Sequence, residues 1–462
     1  MSSFIKRRRK YTSDVSDQLT IIGKRFIPLF IAIFAQQFMG IFVNLLDNFM
    51  LGQYSEAAMS GATVANQYFT VLYNIVFGVS TGVVTLGSQY WGKGEREPIK
   101  KIFSVGLKLA FLIGAVFTVT LALFPRQALS LITNDQAILN EAVDYMSIIC
   151  FTYVIGACSS QLMTSLQAVE TARVGTFMSA STIVINFCLN YCLIYGNFGL
   201  PRLGVKGAAY ATLVSRCVEL IIVLVYIFAI DKKLKMTPAG LFGFDFDYFK
   251  DLIQVAWPVM LTGTSWSVGL AVQTTILGHM SAEAIGASSI AVTVSQIFLC
   301  FSYAAASSIC VSMGKIVGSG NRELIKPFVR CIQIMLLILG IIVAALEFSL
   351  RHVIIGLYNV SPGTEALALQ FITVMSICNV GSIYEYPVMG GIIAGGGNTI
   401  YQAIIDSSFM WLLVIPLSAL SAFVFKWPPL ITFICLKIDQ ILKCIPNAIY
   451  CNSYKWVRDR TR

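Results

Sequence analysis

From Phe26 to Leu51 the chain carries a single ionisable side chain, Asp47, in an otherwise apolar stretch. Stretches of similar length and character follow one another as far as Tyr450. A run of roughly 20 apolar residues is what a helix needs to cross the hydrocarbon of a bilayer. In lipid only helices and closed barrels pair every backbone N–H and C=O. The weak alternation of a membrane barrel is missing, so the runs predict an all-α polytopic membrane protein. Charged residues make up 12% of the chain, about half the ~25% usual in a soluble domain.

About twelve spans are expected, at 24–51, 57–88, 101–124, 138–165, 171–196, 205–230, 250–278, 283–315, 325–348, 364–394, 399–424 and 427–450. The net charge of +10 does not point to nucleic acid, because the basic residues sit in short clusters between apolar blocks. With the N-terminus inside, the inner segments hold 24 Lys and Arg, among them KRRRK, KGEREPIKK, DKKLK and the tail YKWVRDRTR. The outer loops hold five: Arg126, Arg202, Lys206, Arg351 and Lys426. An excess of Lys and Arg marks cytoplasmic loops, so both termini are expected in the cytoplasm, with an even number of spans.

An internal repeat organises the spans. GKGEREPIK (92–100) matches GSGNRELIK (318–326), and LGQYSEAAMSGATVA (51–65) matches LGHMSAEAIGASSIA (277–291) at the same offset. Six spans separate the copies, so both halves have the same orientation, as in parallel-repeat carriers. The expected domains are an N-terminal segment 1–23, a six-helix lobe 24–230, a linker 231–249, a second six-helix lobe 250–450 and a basic tail 451–462. Two like bundles facing a cleft are the plan of an alternating-access carrier. An intramembrane enzyme would need a nucleophile–base pair or a metal set, and the chain has no HExxH or paired intramembrane aspartates. The twelve cysteines form no CxxC pair and lie mostly in apolar segments, where they read as small hydrophobes. Neither histidine, His279 or His352, is expected to ligate a metal.

LLDNFMLGQYSEAAMSGATVANQ, VFGVSTGVVTLGSQYWGKGE, NFGLPRLGVKGAAYATLVSR, IIAGGGNT, DSSFMWLLVIPLSAL and the terminal YKWV resemble the multidrug and toxic compound extrusion (MATE) family. The resemblance covers both halves. It implies two six-helix lobes in a V shape, no enzymatic activity and no cofactor. It also implies export of bulky, often cationic organic compounds, driven by inward flow of Na⁺ or H⁺. The expected setting is a bacterial plasma membrane, with lipid around a monomer, small organic molecules as cargo and no nucleic-acid partner. The same superfamily holds flippases for lipid-linked oligosaccharides, which is the alternative reading. Span interiors offer few cations beyond Arg216, which argues against a pyrophosphate-bearing lipid.

Family members commonly carry an ion-coupling aspartate where Asp47 stands. Asn186 and Asn190 are four apart, hence on one face of a helix, and Thr212 lies early in the sixth span; all three fall at matching family positions. Together they offer one carboxylate, two amide oxygens and a hydroxyl, a set that suits Na⁺ or a proton held on Asp47. As bundle glue the two amides would instead hydrogen-bond between helices. Some members have an aspartate at the position of Asn190, so a mechanism requiring two nearby acids does not carry over. Another branch has a glutamate in the seventh span about where Trp266 falls, so Trp266 is expected along the cavity or at a second ion site.

Glu385, flanked by Tyr384 and Tyr386, is expected either to meet a cationic substrate through charge and ring faces or to form a second ion site. Gln36, Gln37, Gln67, Tyr68 and Tyr73 are expected along the cavity. Arg216 and Glu219, three apart, can pair with each other, and Asp406 is expected to serve a helix N-terminus. Pro28 and Pro258 predict bends, or else mark first turns.

Overall fold

The structure, a computed structural model, describes residues 2–356, 358 and 360–462, with side chains outside 2–19, 21, 22, 239, 242 and 282. Met1 and the side chains of the basic run 6–10, expected on the inside, lie outside the described residues. The described chain is helical almost throughout: α1 (Ser2–Tyr54), α2 (Glu56–Lys93), α3 (Arg96–Leu123), α4 (Pro125–Ser130), α5 (Gln136–Ile149), α6 (Phe151–Ala168), α7 (Arg173–Tyr195), α8 (Val205–Val225), α9 (Pro238–Phe242), α10 (Phe246–Gly278), α11 (Ala282–Gly318), α12 (Ile325–Ile355), α13 (Pro362–Tyr386), α14 (Ile400–Ser408), α15 (Ile415–Ala419), α16 (Pro429–Lys437), α17 (Asp439–Leu442) and α18 (Cys444–Ser453).

Among the described residues, ten helices are long and apolar enough to cross a membrane. The expected fourth span is a pair, α5 and α6, bent by 52°. The expected twelfth is helix in three pieces, α16 to α18. One break has a chemical cause: Pro446 has no N–H to give to Leu442, so the ladder is interrupted at Lys443. Local signals start and stop the other helices. Asp135 accepts from the N–H groups of Ala137 and Ile138 to cap α5, and Ser281 caps α11 through Ala284 N. Gly196, at φ +77°, ends α7 in a left-handed turn that favours glycine. Pro28 lies inside α1 and Pro258 inside α10, so neither marks a first turn.

Two compact units emerge. One comprises Ala35–Gly87 with Glu95–Gly263, and the other Met1–Phe34, Ser88–Gly94 and Thr264–Arg462. They are called here the 35–263 unit and the 264–462 unit. The core of the first joins Leu51, Leu72, Val76, Leu121 and Tyr153, with Phe69 packed against it. The second has two clusters. In one, Phe371 and Phe433 stack at 4.0 Å. The other surrounds Trp456, which is fully buried although it belongs to the C-terminal tail.

The repeat motif has a packing role within the 264–462 unit. A Cβ on Gly92 would fall on the carbonyl oxygen of Lys315, and one on Gly318 would fall on that of Gln89. Gly92 and Gly318 are 226 residues apart, and so are Gln89 and Lys315. The contact is therefore reciprocal: each copy presents the same glycine to the same carbonyl of the other. Helices that meet this closely require glycine, as backbones do wherever they touch without side chains between them.

Candidate functional site

In the 35–263 unit, α1, α7 and α8 converge on Asp47. Its Oδ1 accepts from Asn190 Nδ2 at 2.5 Å. The same amide lies 3.0 Å from Asn186 Oδ1, and Asn186 Nδ2 donates to Thr212 Oγ1 at 3.3 Å. The four residues singled out for ion coupling thus form one continuous hydrogen-bonded chain. The helical spacing explains it, since residues four apart on α7 stack and both amides face α1 and α8. Asn186 and Asn190 are buried and Asp47 half-buried. Asn190 Oδ1 is a buried acceptor with no hydrogen-bond partner among the described residues. One turn along α8, Arg216 pairs with Glu219 at 2.7 Å and stands 5.9 Å from the Phe69 ring centroid. That pair is the self-neutralising one expected from the i,i+3 spacing.

The other cavity candidates in this unit scatter. Gln36 is buried and engaged at both ends of its amide: Nε2 donates to Ala172 O at 2.8 Å, and Oε1 accepts from Gln167 Nε2 at 2.9 Å. Its polarity ties α1 to the turn between α6 and α7. Tyr68 donates to Ala128 O at 2.7 Å and packs on the core. Gln37 is half-buried, and Gln67 and Tyr73 are exposed.

In the 264–462 unit, Glu385 has a different environment from the aromatic one expected. Neighbouring residues on a helix do not share a face. Tyr384 is buried and donates to Gln333 Oε1 at 2.8 Å, while Tyr386 meets Tyr303 edge-on at 5.2 Å. The partners of Glu385 are Lys443, whose Nζ is 3.8 Å away, and Asn447, whose Nδ2 is 3.5 Å away. Lys443 also lies 3.0 Å from Asp406 and 3.0 Å from Asp439. Asp406 is therefore part of a buried charge cluster, a correction to its expected service at a helix end. The expectation that span interiors hold few cations beyond Arg216 also fails, because Lys437 and Lys443 are both buried, each 5% exposed. Trp266 is 43% exposed.

Three carboxylates face the one ammonium of Lys443. Ionised together they leave an excess of two negative charges, a costly state in low dielectric. They do not converge as a metal cage, since among the described residues no three His, Cys, Asp or Glu stand close enough to hold one ion.

Another buried acid in this unit, besides Asp439, escaped the reading of the sequence. Glu347 of α12 is fully buried. It accepts from Ser295 Oγ and from Asn379 Nδ2, each at 2.6 Å. It stands at the end of the expected span 325–348, and the reading of the sequence did not single it out. The signal that would have found Lys437, Asp439 and Lys443 is their spacing in CLKIDQILKC: residues 439 and 443 are a helical i,i+4 pair inside a span.

The family profile described as MatE matches residues 28–192 and 258–420, one stretch in each half of the chain. The probable multidrug resistance protein NorM of Thermotoga maritima is 23% identical over 95% of this chain and 94% of its own length. The uncharacterized transporter YisQ of Bacillus subtilis is 23% identical over 85% of both chains. Among solved structures, a MATE protein crystallised in complex with MaL6 superposes with a TM-score of 0.85 at 15% identity, over 94% of this chain and 96% of that one. A MOP superfamily transporter from Pyrococcus furiosus gives 0.86 at 14% identity, over 96% and 97%.

Proposed function

This chain belongs to the MatE family of transporters, and on that premise we propose that it is a secondary active antiporter. It exports organic, often cationic compounds in exchange for Na⁺ or H⁺. The observation that carries the reading is the chain Asp47–Asn190–Asn186–Thr212. An ionisable group inside a span is costly and marks ion or substrate pathways. Here one carboxylate is backed by neutral oxygen donors, with the spare acceptor of Asn190 at hand. That set balances one positive charge, whether a proton or a hard cation. The multidrug-resistance names of the relatives support a drug-like cargo.

The protein acts as a monomer in a bacterial plasma membrane, with lobes 24–230 and 250–450, linker 231–249 and both termini in the cytoplasm. Coupling requires ion and cargo to favour different conformations, because a ligand with equal affinity for both shifts neither. The cluster around Glu385 is a second ion site in this reading. Its surplus of carboxylates over Lys443 calls for protons or a cation to balance it. The flippase alternative gains from the two buried lysines, yet Lys443 is outnumbered by acids, which repel a pyrophosphate.

The test is ethidium flux into proteoliposomes under an imposed Na⁺ gradient, then under a pH gradient, for the wild type and Asp47→Asn. Flux driven by one ion and lost in the variant supports the antiporter and identifies the ion. Undiminished flux in Asp47→Asn removes Asp47 from the coupling site. Absence of flux in well-folded wild type, combined with turnover of a lipid-linked sugar, turns the reading to the flippase.

A further inference from the structure

We propose that the 264–462 unit contains a binding site for a small organic anion, built around Lys437. The site is a cavity of about 240 Å³ whose walls include Gln273, Leu277, Ser288, Ser289, Phe433 and Lys437. That volume is well above the ~10–15 Å³ that admits one water, and leaves space for a single substituted ring. Every lining residue belongs to the same compact unit.

Two lining hydroxyls are already spent, Thr274 on Leu270 O and Thr293 on Ser289 O, and the charged group of the lining is Lys437. Lys437 is only 5% exposed. Its Nζ donates to Gln273 Oε1 at 3.1 Å and lies 5.9 Å from the Phe433 centroid. Gln273 is fixed in turn by its Nε2, which points at Met410 Sδ 3.4 Å away. An ammonium has three N–H bonds, and Gln273 takes one. No carboxylate pairs with Lys437 among the described residues. The acid nearest in sequence, Asp439, is bound to Lys443 at 3.0 Å. An ammonium withdrawn from water costs several kcal/mol unless an anion goes with it. The hydroxyls of Ser288 and Ser289 have no hydrogen-bond partner among the described residues and can complete the set of donors. Leu277 and Phe433 supply an apolar wall.

The repeat makes the same point independently. At the offset of 226 that aligns the two copies, Gln273 stands where the other copy has Asp47. One copy places a carboxylate that waits for a mobile cation. The other places a neutral amide beside a cation that is part of the chain. The charge preference is thereby inverted, and the ligand is a single carboxylate or phosphate on an apolar body. Such a head group arrives on a dissolved molecule or on a membrane lipid.

The full chain in phosphatidylcholine nanodiscs, with no gradient imposed, is titrated with radiolabelled benzoate. Because no transport is measured, the outcome is independent of the antiporter reading. Saturable binding is expected, weakened tenfold or more in Lys437→Met and less in Gln273→Leu. Lys437→Gln, which keeps a polar tip, serves as the second variant should the methionine variant prove polydisperse. Adding phosphatidylglycerol distinguishes the sources: competition with benzoate assigns the site to an anionic lipid, and its absence assigns it to a dissolved anion. No saturable benzoate binding in phosphatidylcholine, or equal affinity in wild type and both Lys437 variants, overturns the proposal.

Discussion

The two units answer the same electrostatic problem in opposite ways. Around Asp47 a single acid is surrounded by amides and a hydroxyl, and the nearby Arg216 is occupied by Glu219. Around Glu385 three acids share a tethered ammonium. The divergence continues deeper. Ser295, Glu347 and Asn379 hydrogen-bond together in the 264–462 unit, and 226 residues earlier the chain has Phe69, Leu121 and Tyr153. Leu121 and Tyr153 are core in the 35–263 unit and Phe69 packs against that core, its ring 5.9 Å from that of Tyr153. The repeats keep the backbone plan and exchange the side-chain chemistry inside it. A duplicated scaffold thus houses one acid among neutral amides and a hydroxyl, and one ammonium among three acids.

The comparison breaks most readily at Lys443. Removing one partner of a buried charge cluster costs about 3–5 kcal/mol, so Lys443→Met should unfold well below the wild type in detergent, read by thermal melting. Adding Glu385→Gln, Asp406→Asn and Asp439→Asn to that variant should restore most of the loss, because neutral groups need no counter-charge. Failure of the rescue would mean that the cluster is held together by packing rather than by charge.

Next comes Glu347. Glu347→Leu installs the residue of the other repeat but strands Ser295 and Asn379, a loss of ~1–3 kcal/mol in chemical or thermal unfolding. A neutral effect would show that the triad is dispensable polarity.

Asp47→Asn should leave melting within ~1 kcal/mol of wild type, as a half-buried isosteric change. It should nevertheless lower ion-driven ethidium flux about tenfold or more, an effect of ~1.4 kcal/mol or larger on coupling. A variant as active as wild type would move the coupling function to the other unit.

The smallest effect belongs to the exposed pair Lys101–Asp245, 3.1 Å apart and outside either buried site. The Lys101 hydrogen bond holds the Asp245 carboxyl below the usual carboxylate range. Its contribution is therefore present above that range and lost as pH falls through the lowered value. Asp245→Asn should barely change melting at neutral pH and should slightly flatten its decline as pH falls through and below the usual carboxylate range. A large change at neutral pH would show that surface pairs matter here as much as buried ones.

The helical membrane fold was legible because length and apolarity of a run are enough to decide it, and the paired GxGxRExIK and LGxxS signals exposed the duplication. That Asp47, Asn186 and Asn190 come together was legible through one helical turn of spacing and the family positions. The role of Gln36 was not, because an amide in an apolar span reads the same whether it lines a cavity or ties two turns together. Lys437 and Lys443 were hidden for another reason. Orientation is read from charges in loops, so charges inside the last span went uncounted. Glu385 was found, but its adjacent tyrosines suggested a partner that helix geometry turns elsewhere.

The reciprocal crossing at Gly92 and Gly318 has a genetic consequence. Any missense change at either codon puts a side chain on the other copy's carbonyl oxygen, whatever residue results. Loss-of-function alleles should therefore collect at these two positions, distant in sequence from Asp47 and Glu385. They should show up as scarce protein in the membrane rather than as an altered ion preference, because destabilised chains are cleared before they can work.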